Sequence, residues 1–578
     1  MLLIKQLRSG PKARRYAAAG AIAFAIPLAL TGTASHAASA GPVTATYQGT
    51  ATQSHLLATT ANWGHVSTAS AQVTGGSNRS LRFRTPATAG GSRPARGAGA
   101  PQVSASTLAA EGTLASNFDG LSDTQNKALV GFHDTPPDQG LCVGTLTGFG
   151  GTVVIEAVNS IFGIYTTGGT LLSSFPVTAG FFDPNAFSDP RCFWDPSTSS
   201  FYMTVISCFN CGPPGTADSV DDVLVVNSSG VATTYQFSTN VGGTCFGDQP
   251  HTGYDSHAVW VATDEFCGPS GNTYSGALLI GISKSQLAAQ GPTPNAVSIG
   301  PLSLGGVPIL TLQPAFGNDS GKQYLLNSFP YDQFGNNNSI ANTLGFWVVT
   351  GDANITTGTG VVTLTGKIIN SETYAFPVPA ASTGTGAVNG SGITSEAFLN
   401  PDDSRMQQVQ LVKDEKQGLQ LYASLSTAVN ISGDPSARDG AAWFVLNPAK
   451  AAITSQGYVA VSGAYLLYPA ILHTSEGTTA MGFTITSPTI NPSAAYVVRK
   501  STSPAFGAVQ TAAAGSGPHV SFSDYFFGRA RWGDYSALEL DPNGTDIWSA
   551  TEYIGPPPGG TDTVDNWGTR IWDVTGDK

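Results

Sequence analysis

The chain has 578 residues, including 69 Gly and 36 Pro, with only 11% charged residues and a formal net charge of −12. So few Glu and Lys among so many turn formers excludes a mainly helical protein and suits short strands joined by loops. A surface of this sign repels nucleic acid and anionic lipid, so neither is an expected partner.

Residues 1–40 read as an export signal. Lys5, Arg8, Lys12, Arg14 and Arg15 precede the apolar run Ala17–Leu30. Small residues follow, with Ala38-Ser39-Ala40 as an A-x-A cleavage site and Ser35-His36-Ala37 as a second one. The alternative is an uncleaved anchor, but the run is short and contains Pro27. Arg14-Arg15 would suit twin-arginine export, although Tyr16 and Ala17 fit that pattern poorly. Cleavage leaves 21 basic against 38 acidic residues. No later segment has 18 uninterrupted apolar residues, so no membrane span is expected after it. The expected product is secreted and monomeric.

Residues 41–112 are rich in Ala, Gly, Ser and Thr without a sustained period, and read as a flexible linker. From residue 113 to 578 apolar runs alternate with Gly, Pro, Asn and Asp clusters, and the only helical stretch expected is Lys284–Gln290. All six cysteines lie in this part, and an even number in an exported chain predicts three disulfides. Cys208 and Cys211 can close a small loop. Cys245 precedes a strand that Cys267 ends, which leaves Cys142 for Cys192. The rival use of Cys208-x-x-Cys211 is a metal site, but no second C-x-x-C or paired histidine accompanies it.

The strand runs repeat. Gly247-Asp248-Gln249-Pro250-His251 is followed by Ala258–Asp264, as Trp532-Gly533-Asp534-Tyr535-Ser536 is followed by Asp546–Glu552. Weaker copies start at Asp138-Gln139, Ser188-Asp189-Pro190-Arg191, Leu312-Gln313-Pro314, Met406-Gln407-Gln408 and Leu467-Tyr468-Pro469. Seven such modules predict an all-β fold, a β-propeller of seven blades with six as the alternative, against a two-sheet sandwich. Leu114–Leu121 is expected to complete the last blade beside Arg570–Val574 and so close the ring.

The phrases PPDQGLCVG, VVIEAVN, SDPRCFWDP, FGDQPHTG, ISKSQL, LLYPAI and RWGDYSALELDPNGTDIW with ATEYI resemble those of exported bacterial propellers of the sialidase-like or BNR-like type. The resemblance spans about residues 116–578 and implies the architecture more than an activity. The sialidase Asp-box is only approximated by Asp541-Pro542-Asn543-Gly544 with Trp548. No arginine cluster of the kind that grips a sialic acid carboxylate can be assembled from the sequence. Phe83-Arg84-Thr85-Pro86 sits in the linker and reads as coincidence.

In a propeller the polar module starts face one end of the central channel. Asp189, Asp248 and Asp534 are the acid/base or nucleophile candidates, since a carboxylate crowded by another rises in pKa as a general acid requires. Arg191 would hold one of them ionised. Asp138, Gln139, Gln249, His251, Gln313, Gln407, Gln408, Tyr468 and Tyr535 are the candidates for holding ligand. Carboxylates and amides suit the hydroxyls of a glycan, and they also suit a hard cation such as Ca²⁺. The competing reading for any one of them is a cap on a strand end. Two functions follow: an extracellular hydrolase or lyase acting on polysaccharide or glycoconjugate, or a non-catalytic propeller that binds glycan or protein. No G-x-S-x-G, H-E-x-x-H, P-loop or dinucleotide fingerprint is present.

Overall fold

The computed structural model describes residues 44–575 except 51, 54–58, 63–78, 81–98, 105–107, 179–185, 209–218, 269–272, 318–320, 330–339, 388–393, 523, 526–528 and 557–563. The expected export signal and the Cys208–Cys211 bridge lie outside the described residues.

Among the described residues seven antiparallel sheets each hold four strands, six in meander order and the seventh with Leu114–Ser122 as its fourth strand. The first sheet is Gln139–Leu146, Gly151–Val158, Ile161–Thr166 and Leu171–Pro176. The second begins with Ala186–Asp195, the third with Cys245–Tyr254 and the fourth with Gln313–Pro314. The last three begin with Met406–Asp414, Tyr465–His473 and Ala537–Leu540. Each first strand packs against the first strand of the next sheet, and that of the seventh packs against that of the first. Sheets joined in this closed cycle make a β-propeller.

The ring closes as expected from the sequence. Leu114–Ser122 lies antiparallel to Gly568–Thr575, pairing Phe118 with Ile571 and Asn117 with Trp572. Every sheet lies between two others, so both faces of its strands are apolar. Val223 and Val225 pack toward the third blade with Val259 and Val261, whereas the alternate residues Leu224 and Val226 pack toward the first. Among the described residues two disulfides hold this arrangement. Cys142–Cys192 joins the innermost strands of blades one and two, and Cys245–Cys267 joins two strands within blade three.

Two features differ from the sequence reading. Within the segment expected to be a linker, Thr44–Thr50 pairs with Val361–Lys367, Thr52–Gln53 with Ala296 and Asn295, and Thr59–Asn62 with Val231–Thr234. They add fifth strands to blades four, three and two. An outermost strand needs only main-chain hydrogen bonds, so its sequence carries no apolar period. A helix at Asp123–Val130 is also present, capped by Ser122 and ended by Gly131 with φ 84°. The helix foreseen near Lys284 is short, Lys284–Ala288. No helix among the described residues is long and apolar enough to cross a membrane.

Long insertions join certain blades. Those between blades four and five and between blades six and seven pair with each other, through Leu399 with Ala530 and Thr394 with Ser521. Each insertion feeds directly into an innermost strand, and that is where the site residues gather.

Candidate functional site

All first strands of a meander ring run the same way, so their starts collect at one end of the channel. Three of these starts bulge. Asp189, Gln249 and Tyr468 have φ of 55°, 52° and 54°, each before a proline, and the strand register shifts at each place. The residue before a proline normally stays extended. A left-handed conformation there costs on the order of 1–3 kcal/mol, and a bulge re-aims the neighbouring side chains.

Asp138, Asp189 and Asp534, from blades one, two and seven, come together here. The Asp534 amide donates to Asp138 Oδ1 at 2.7 Å. Asn159 links the first two, donating from Nδ2 to Asp138 Oδ2 at 2.9 Å while its Oδ1 accepts the Asp189 amide at 2.9 Å. Asp138 is fully enclosed, whereas Asp189 and Asp534 keep 5% and 6% exposure. Burial raises the pKa of all three; Asp534 and Asp189 raise Asp138 further, and Asp534 raises Asp189. Burial and mutual repulsion favour the protonated form of these carboxyl groups, against the pull of the neighbouring arginines.

Three arginines surround them. Arg531 Nη2 donates to Asp534 Oδ2 at 3.1 Å, and Arg531, Arg405 and Arg191 all pull the Asp534 carboxyl downward against burial. Arg405 is buried, gripping Asp403 through Nε and Nη2 at 2.8 and 2.7 Å, and its Nη1 donates to Gln249 Oε1. Arg191 lies 3.2 Å above the centroid of the Tyr535 ring, and its Nε donates to the Pro250 carbonyl at 3.1 Å. The Tyr535 hydroxyl donates to Asp189 Oδ2 at 3.4 Å. Arg191 Nη2 lies 3.3 Å from His251 Nδ1. Burial, Arg191 and Arg405 hold that imidazole well below its usual pKa, hence neutral.

A channel recess of about 30 Å³ adjoins this cluster, lined by Gln139, Arg191, Gln313, Gln407, Gln408 and Leu538 among others. Gln408 is tied to the Leu538 main chain at both amide atoms, and Gln313 Nε2 donates to the Thr252 carbonyl at 3.1 Å. Both amide atoms of Gln139, Nε2 of Gln249 and Oε1 of Gln407 are buried without a hydrogen-bond partner. Buried amides of this kind ordinarily find partners, so a ligand or ordered water belongs beside them.

Of the residues singled out from the sequence, Asp189, Asp534, Arg191, Gln139, Gln249, His251, Gln313 and Tyr535 thus converge. Asp248 lies apart, opposite Asp264 and near Glu265. Tyr468 is buried beneath the inserted loops, with its hydroxyl on the Asn400 carbonyl at 2.9 Å. Arg405 and Arg531 were not singled out, although each closes an insertion just before a module start, in Asp402-Asp403-Ser404-Arg405 and Arg531-Trp532-Gly533-Asp534.

No protein-family model matches the sequence, and no curated protein is similar to it. Solved structures of similar shape include the Dos1 propeller (8% identity, 77% of this chain and 93% of that one, TM-score 0.34). An α-L-arabinofuranosidase from Fusarium graminearum matches at 9% identity over 80% of this chain and 98% of that one, TM-score 0.32. Trypanosoma rangeli sialidase matches at 11% over 71% and 57%, TM-score 0.29. At such scores these likenesses carry no argument about the site.

Proposed function

We propose that the chain is an exported, sialidase-like propeller that acts on a polysaccharide or glycoconjugate at the channel end where the innermost strands start. The observation that carries this reading is the convergence of Asp138, Asp189 and Asp534, from three blades, beside three arginines. Glycoside cleavage needs one protonated and one ionised carboxyl group. Asp189, held by Tyr535 and Ser188, serves as the proton donor. Asp534, paired with Arg531, serves as the ionised partner, as nucleophile or as base. Asp138 positions the Asp534 main chain. Gln139, Gln249 and Gln407 offer the free amide atoms that sugar hydroxyls take up. The two disulfides suit an oxidising compartment outside the cytoplasm.

A second reading, binding without cleavage, draws on one observation: both oxygens of Asp189 already accept hydrogen bonds, from the Ser188 and Tyr535 hydroxyls. The test is a screen of polysaccharides and glycoconjugates for released product and for retention, with D189N and D534N alongside the parent. Asparagine keeps shape and removes charge. Loss of turnover by about 100-fold or more in both folded variants supports catalysis. Retention without product supports the second reading. Neither product nor retention from any glycan overturns both.

A further inference from the structure

We propose that the glycan taken at this channel end is uncharged: the recess lined by Gln139, Thr252 and Gln407 receives a hydroxyl or hydroxymethyl group of a neutral sugar, and the three arginines of the site serve the protein instead of a sugar carboxylate. The inference rests on the glycan reading and narrows its substrate class.

Arginines gathered at a channel mouth suit an acidic sugar only where they offer free N–H pairs, because a carboxylate is gripped by two parallel donors on one edge of a guanidinium. Here each guanidinium is already held. Arg405 sets Nε and Nη2 on Asp403 at 2.8 and 2.7 Å, stands 3.0 Å from Asp402 and turns Nη1 to Gln249. Arg531 Nη2 is on Asp534 at 3.1 Å. Arg191 gives Nε to the Pro250 carbonyl at 3.1 Å, places Nη2 3.3 Å from His251 Nδ1 and lays its face on the Tyr535 ring. The Nε–Nη2 edges of Arg405 and Arg191 are therefore occupied. Asp138 and Asp189 adjoin the same group through the Asp534 amide and the Tyr535 hydroxyl. A sugar carboxylate would enter beside acids, not beside spare positive charge.

The atoms left free are of another kind. Gln139 is fully buried, and neither its Nε2 nor its Oε1 has a hydrogen-bond partner. Thr252 Oγ1 and Gln407 Oε1, on side chains of residues 1% and 5% exposed, have none either. The innermost strands of blades one, three and five bring these three residues to one recess of about 30 Å³.

That set matches a hydroxyl. A carboxylate only accepts, and it would oppose the free amide oxygens with oxygens of its own. A hydroxyl accepts from one amide and donates to the next. Reversing the Gln139 amide changes nothing, since both of its ends are free. The recess has room for about two groups the size of a water molecule. It admits a hydroxymethyl arm and excludes a sugar ring, so the ring stays outside it.

The test is calorimetric titration of the purified protein with two sets of probes. One set is neutral: fragments of arabinan, xylan and cellulose. The other is acidic: oligogalacturonate and sialyllactose. At least one neutral probe should bind and neither acidic one should. The affinity should change less than about twofold between roughly 50 and 500 mM NaCl, since no ion pair to the sugar is there to be screened. Gln139→Leu keeps the volume and removes both amide ends, and should weaken neutral binding at least about tenfold. Preference for an acidic probe overturns the inference and leaves the glycan reading in place. Undiminished neutral binding in Gln139→Leu also overturns it, because the recess then holds only water. Binding of no probe in either set removes the glycan reading and this inference with it. The parent protein's choice between the two sets, and its response to salt, decide even where the variant fails to fold.

Discussion

Chains starting at residue 113 and at residue 123 differ by the strand Leu114–Ser122, which closes the ring. Its loss removes Leu121, fully buried among Val130, Val158, Ile161 and Trp567. A buried leucine is worth about 3 kcal/mol. Phe118, packed 5.5 Å from Tyr165 and 6.3 Å from Trp548, adds about 2 kcal/mol. Glu156 Oε2 loses the Leu121 amide at 2.8 Å, a further ~1–3 kcal/mol. The sum is about 6–8 kcal/mol. With an unfolding entropy of ~2.1 cal/mol/K per residue, a unit of about 460 residues loses roughly 1 °C of melting temperature per kcal/mol. Calorimetry should therefore show a fall on the order of 6–8 °C between the two chains, with the β signal of circular dichroism retained at low temperature. Melting within one degree of each other, about the error of the assay, would refute the closure as a source of stability.

Glu156 itself gives a pH test. Burial raises its pKa from the usual range to about 7, and an acid so raised stabilises below its unfolded pKa and loses that contribution as pH rises through the folded value. E156Q should thus gain on the order of 3 kcal/mol over the parent at pH 8 and lose the advantage near pH 4; denaturant unfolding at the two pH values decides, and a deficit at both sinks the argument. Replacing Cys142 and Cys192 by Ala opens a 50-residue loop in the unfolded chain and should cost about 4 kcal/mol, with a change below ~1 kcal/mol contradicting the loop argument. Arg405→Met leaves Asp402 and Asp403 buried beside a neutral side chain and should cost about 3–5 kcal/mol; urea titration reads it, and a neutral outcome means the group protonates instead.

The fold was legible in the sequence because it is periodic. Apolar runs separated by turn clusters mark the second strand of each blade, as in Val153–Val158 and Thr479–Phe483, and each run recurs because every blade solves the same packing problem. Cysteine positions were legible for the same reason: Cys245 and Cys267 sit opposite each other across one hairpin. The helix Asp123–Val130 was missed because it buries only Asp123, Asn126 and Val130, so it shows no apolar stripe, although Ser122 and Gly131 were its caps in plain view. The arginines of the site were missed on different grounds. Arg405 and Arg531 lie at the ends of insertions that belong to no repeat, and their partners are set by where those insertions re-enter the ring, not by spacing. Repetition places Asp138, Asp189 and Asp534 at the starts of three innermost strands and so at one end of the channel, whereas Arg405 and Arg531 reach that end from non-repeating segments. Chemistry assembled in this way is carried by the departures from the repeat. The Arg531–Asp534 and Arg405–Asp403 pairs hold the ends of those departures, and changing either pair alters the site while leaving the seven sheets intact.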